Sequence, residues 1–113
     1  MIALVLWLHV TGGPVPLNND VKVEEGRVRV HRGQQSCEVN LSDADRERLA
    51  AALRNIHPEG WKPKYLDPDC ANCLLYSLQV GGRAVVWNDA SASKVPADAR
   101  AVSVVLQDLM SCQ

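Results

Sequence analysis

Residues 21–32 read Val-Lys-Val-Glu, then Glu-Gly, then Arg-Val-Arg-Val-His-Arg, so Val21, Val23, Val28 and Val30 alternate with charged residues. Successive side chains of an extended strand point to opposite faces, and this alternation specifies a sheet with one face in a core and one in water. A slip of one residue would turn every valine outward, so the pattern constrains register as well as element type. Neighbouring segments extend the same sheet. Residues 2–10 are almost wholly apolar, as expected of a central strand, and residues 11–20 form a turn-rich loop. Residues 37–41 place Cys37, Val39 and Leu41 on one face after the turn at 33–35. The spacing predicts four short antiparallel strands in a meander.

Ser42 then suits a helix N-cap, with Asp43 and Asp45 at the positive end of the dipole and Asp45 where a capping box places an acid. Leu49, Ala52, Leu53 and Ile56 mark one helical face, and Pro58 is expected to end the helix. A connection of sixteen residues, 57–72, follows. Loops of this length without structure of their own are uncommon and often functional. Two strand-like runs, 74–80 and 83–88, flank Gly81 and Gly82, a hairpin signal. Pro96 opens a last helix whose stripe is Val102, Val105, Leu106, Leu109 and Met110. The expected fold is α+β, one domain over 1–113: a single antiparallel meander sheet with two helices packed on one face, in the order β-β-β-β-α-β-β-α.

A formal charge of -1 excludes any general attraction to nucleic acid, and none is expected as a partner. The apolar start has no basic residue before it and no small-x-small cleavage site, and it is too short to span a bilayer, so neither a signal peptide nor a transmembrane segment is expected there. Four cysteines fit two disulfides in an oxidising compartment, or four thiolates around zinc in a reducing one. Only Cys70 and Cys73 form a close pair, whereas structural zinc sites usually bring two such pairs, so disulfides are favoured. Three pairings are open; a Cys70–Cys73 bridge with a long-range Cys37–Cys112 bridge is preferred, because closing a long loop restricts the unfolded chain most. Disulfides imply an extracytoplasmic location after an export signal has been removed.

His57-x-Glu59 with Cys70-x-x-Cys73 invites comparison with zinc deaminases, which carry H-x-E and P-C-x-x-C. Here Asp69 separates Pro68 from Cys70, Pro58 and Gly60 oppose a helix at the histidine, and ten residues between Glu59 and Cys70 leave no room for the intervening strand. A redox pair is also disfavoured, since Cys70 and Cys73 lead into a strand and follow Asp67 and Asp69, which raise a thiol pKa. Serine hydrolase, zincin and phosphate-loop patterns are missing from the chain. Arg27, Arg29 and His31 share one strand face and read as a solvated outer face rather than an anion site. Trp61 and Tyr65 stand among Lys62, Pro63 and Lys64, where an aromatic side chain either anchors a partner or folds back into the core.

The order of marks resembles the emfourin-like proteins, small bacterial inhibitors of thermolysin-family metalloproteases, and related secreted lipoproteins. The resemblance rests on the first strand into Thr11-Gly12-Gly13, on residues 26–30, on Leu41-Ser42 and Leu49-x-x-x-Leu53, on Tyr76 through Arg83, and on Val95-Pro96. The chain departs from the family in Pro14-Val15-Pro16-Leu17 after the glycines, in its cysteines and in its long proline-rich loop. The resemblance implies a domain that does no chemistry; no cofactor or metal is expected. The expectation is an exported, disulfide-stabilised, non-enzymatic binding domain with a protein partner, in its most concrete form a thermolysin-family protease. Contact is expected on loop 12–19 or loop 57–72, through Pro14, Leu17, Trp61 and Tyr65. The competing expectation is an intracellular thiol protein using Cys70 and Cys73 for metal or redox exchange.

Overall fold

A computed structural model describes residues 4–111. Its elements are β1 (Leu6–Gly12), β2 (Leu17–Glu24), β3 (Arg27–Arg32), β4 (Gln35–Asn40), α1 (Asp43–Leu53), β5 (Lys64–Tyr65), β6 (Leu74–Val80), β7 (Arg83–Asn88) and α2 (Ala97–Asp108), with short 3-10 turns at Pro58–Gly60 and Asp89–Lys94. The α+β class stands. The sheet, however, is not a single antiparallel meander. Its seven strands lie in the order β4-β3-β2-β1-β6-β7-β5, and β5 runs parallel to β7. The chain leaves α1, travels to the far edge of the sheet, lays two residues along β7, and returns to place β6 against β1. That excursion makes the sheet mixed and adds a strand that alternation cannot reveal, because two residues have no period.

The valine alternation sets the register it implies. Leu8 stands opposite Val21 on one side and Leu78 on the other, and the row continues through Val30 and Val85. All five side chains are at most 1% exposed. A parallel row joins Leu6, Val23, Val28 and Val80. The helices cover this face: Val102, Val105 and Leu106 of α2 and Leu49 of α1 belong to the same apolar cluster. The opposite face carries Trp7, His9, Asp20, Lys22, Arg29 and His31, and is tied together rather than covered. Trp7 Nε1 donates to Asp20 Oδ2 at 2.8 Å, His31 Nδ1 lies 3.2 Å from Asp20 Oδ1, and Lys22 Nζ sits 5.4 Å from the Trp7 ring centroid. Arg27 and Arg29 both reach Glu38, at 2.6 and 3.7 Å. The basic stripe is therefore matched by acids on neighbouring strands.

Ser42 caps α1 as expected, its hydroxyl accepting the Asp45 amide at 3.1 Å. The helix ends at Leu53, earlier than Pro58 requires, because Arg54 and Ile56 tighten into bonds to carbonyls three residues back. Ile56 still packs against the core. Arg48 of α1 meets Asp108 of α2 at 2.6 Å and joins the two helices on their outer side. Leu8→Ala empties the centre of the sheet's longest apolar row, and urea denaturation should show a loss of about 2–5 kcal/mol.

Candidate functional site

Residues 57–72 are held along most of their length rather than looping free. His57 and Glu59 are solvated, with His57 Nδ1 3.5 Å from Glu59 Oε1 and both side chains more than 70% exposed. This is a surface pair on a 3-10 turn. Trp61 is the first strap. Its ring is 7% exposed within the core, and its Nε1 donates to Asp98 Oδ1 at 3.0 Å. The other oxygen of Asp98 accepts the His57 amide at 2.7 Å, and Oδ1 also accepts the Ala99 amide at 2.9 Å. Burial works to raise the Asp98 carboxyl, but these hydrogen bonds outweigh it and hold the group below its ordinary range.

Beyond Trp61, the Pro63 carbonyl accepts the Val86 amide at 3.0 Å and starts the β5–β7 pairing. The Tyr65 hydroxyl accepts the Lys62 amide at 2.9 Å, and Tyr65 lies half-buried opposite Trp87. The 3-10 turn after β7 grips the next residues. Asn88 and Ser91 cap that turn reciprocally at 3.1 Å, Ser91 Oγ donates to the Tyr65 carbonyl, and Asn88 Nδ2 donates to the Asp67 carbonyl at 3.0 Å. Asp67 in turn accepts the Asp69 amide on its side chain at 2.9 Å, a tight Asx turn that leads into the Cys70–Cys73 disulfide.

The register of the sheet then decides what the disulfide loop faces. Gly12, the last residue of β1, stands opposite Leu74 of β6 and Leu17 of β2. The mouth of the β1–β2 hairpin therefore abuts the end of the disulfide loop, and the Gly13 amide donates to the Cys73 carbonyl at 3.2 Å. Gly12 has φ +87°, and a Cβ there would lie 2.9 Å from the Cys73 carbonyl oxygen, so any side chain is excluded twice over. The Leu74 amide is held from the other side by Asp89 Oδ2 at 3.0 Å. The two loops expected to carry a partner contact are thus one continuous edge. At this edge Val15 is 80% exposed between Pro14 and Pro16, with Leu17 and Leu75 exposed beside it and Leu66 exposed before the disulfide.

Of the four residues expected to touch a partner, Pro14 and Leu17 are on this surface, Tyr65 is half-buried behind it, and Trp61 is in the core. The core reading of Trp61 holds because Asp98 offers its indole N–H a charged acceptor under the sheet. Cys37 lies on β4; the expected Cys37–Cys112 bridge falls on Cys112, outside the described residues. The residues that organise the loop, Asp98, Asn88 and Ser91, were not singled out from the sequence. The spacing Asn88-x-x-Ser91 is itself an N-cap signal that could have identified two of them. No protein-family model matches the chain, and no curated protein matches it.

Three measurements check this site. Trp61→Ala should lower unfolding free energy by about 3–5 kcal/mol, as truncation of a packed ring does. Gly12→Ala should cost about 1–3 kcal/mol from its backbone conformation and contact alone. For Asp98 the unfolded carboxyl keeps its ordinary pKa while the folded one is lower, so its stabilisation is full above the ordinary value and lost as pH falls through the folded value. Asp98→Asn should lower stability at neutral pH by about 1–3 kcal/mol and flatten that acid limb in a pH series of urea melts.

Proposed function

We propose that the chain is a small exported binding domain, stabilised by disulfides and without chemistry of its own, whose contact surface is the edge built from the hairpin tip at 13–16 and the disulfide loop. The observation that carries this reading is the hydrogen bond from the Gly13 amide to the Cys73 carbonyl, which joins the tip to a covalently closed loop. Pro14 and Pro16 fix two backbone φ angles on either side of the exposed Val15. A tip held in this way loses little conformational entropy on docking, so its apolar contact converts into affinity with a small ordering cost.

In its concrete form the partner is a thermolysin-family metalloprotease, in line with the resemblance to emfourin-like inhibitors, and the tip would lie in or beside the protease cleft. A disulfide in a chain of this kind fits an extracytoplasmic compartment, where such proteases act on it or are held in check by it. The reading is tested by titrating the protein against several thermolysin-type proteases with a peptide substrate. Inhibition at micromolar concentration is expected, with Val15→Asp weakening it by about tenfold or more while leaving the melting temperature unchanged. No inhibition of any protease removes the inhibitor assignment. Inhibition that survives both Val15→Asp and Leu17→Asp removes the hairpin tip as the contact.

A further inference from the structure

A groove of about 190 Å³ opens between α2 and the open end of the β6–β7 hairpin, sharing Asp89 with the loop edge described above. Its floor is aromatic: Tyr76 and Trp87 stand opposite each other on adjacent strands, their rings stacked with centroids 5.4 Å apart and planes 6° from parallel. Val104 of α2 stands on the rim with 54% of its surface exposed and extends the apolar lining outward.

Several of the polar groups around the groove are already committed. Asp89 accepts the Leu74 amide at 3.0 Å. Burial of Tyr76, and then the neighbouring Asp89 carboxylate, push the phenol pKa up, so the hydroxyl stays protonated. Gln107 Nε2 donates to the buried Ser103 hydroxyl at 2.9 Å. Arg100, one helical turn before Ser103 and Val104, also lines the groove and makes no ion pair among the described residues. The result is an apolar, ring-floored recess with one uncommitted guanidinium at its mouth.

We infer that this groove binds a small apolar monocarboxylate, its ring or branched chain seated on Tyr76 and its carboxylate paired with Arg100. Three features select that chemistry. A guanidinium presents paired donors that match a carboxylate. The Asp89 charge on the same groove repels a second negative charge and disfavours phosphate esters. The volume lies below the roughly 300–1,000 Å³ of sites for drug-sized ligands and suits a single ring or side chain. The carboxylate has two sources, a free acid or the C-terminal residue of a polypeptide, and both present the same group.

The test is a chemical-shift titration of the ¹⁵N-labelled, oxidised protein, following the Trp87 indole and Gln107 amide signals. Four probes are used: phenylacetate, phenylacetamide, and a tetrapeptide ending in phenylalanine with either a free or an amidated terminus. A saturable shift with an acid is expected, at a Kd of about 0.1–5 mM, with the matching amide binding about tenfold more weakly or worse. Arg100→Gln and Val104→Glu, both at exposed positions, should each weaken the acid by about tenfold or more without changing the rest of the spectrum. Saturation by phenylacetate assigns the site to free acids, and saturation by the free-terminus peptide alone assigns it to chain ends. The inference is overturned if neither acid saturates by about 20 mM. It is also overturned if the amides bind as well as the acids, or if Arg100→Gln leaves binding unchanged.

Discussion

The β1–β6 ladder holds the two halves of the chain together. β1 receives the meander on one side through Leu8 and Val21, and the β6–β7 hairpin on the other through Leu8 and Leu78. Without that ladder, the sheet would fall into two parts, β4-β3-β2-β1 and β6-β7-β5. The ladder joins residues about seventy apart in sequence, so closing it must overcome a large loop entropy, and the dry row through Val30, Val21, Leu8, Leu78 and Val85 supplies the return. α2 lies across the seam, with Val102 and Leu106 fully buried.

The same ladder builds the candidate contact edge. Because Leu6 pairs with Val80, its far end must pair Gly12 with Leu74, which brings the hairpin tip against the disulfide loop. The segment between α1 and β6 runs along the far edge, where β5 pairs with β7. Trp61 fastens it to the core beside α2 through Asp98, and Asn88 and Ser91 fasten it at the end of β7. A buried indole with a charged acceptor makes the long connection part of the fold, so the exposed apolar surface is confined to the tip and its neighbours. A hydrogen-bonded backbone behind an exposed Val15 is what separates a preorganised contact from a mobile loop.

Local pattern made much of this legible. The strands Arg27–Arg32, Leu74–Val80 and Arg83–Asn88 coincide with the spans read from alternation, and the Ser42 cap and the α2 stripe are where spacing puts them. β2 begins earlier than expected, at Leu17, because Asn18, Asn19 and Asp20 continue the ladder beyond the part of the sheet that the helices cover, where alternation no longer signals a strand. β5 was invisible for a related reason: it is a strand only because β7 offers an edge to it. The fate of Trp61 was undecidable locally, since its partner Asp98 is 37 residues away. Likewise, nothing in residues 12–19 or 57–72 states that these loops meet; that follows from pairing register alone.

The central claim is that the hairpin tip and the disulfide loop form one fixed edge. Amide hydrogen exchange at Gly13 tests it most directly, because that N–H is the donor to the Cys73 carbonyl. In the oxidised protein the Gly13 amide should exchange slowly, at a rate approaching that of the β1 amides, and selective reduction of Cys70–Cys73 should speed it by at least about tenfold. Exchange of Gly13 at the rate of an open loop in the oxidised protein would contradict the account.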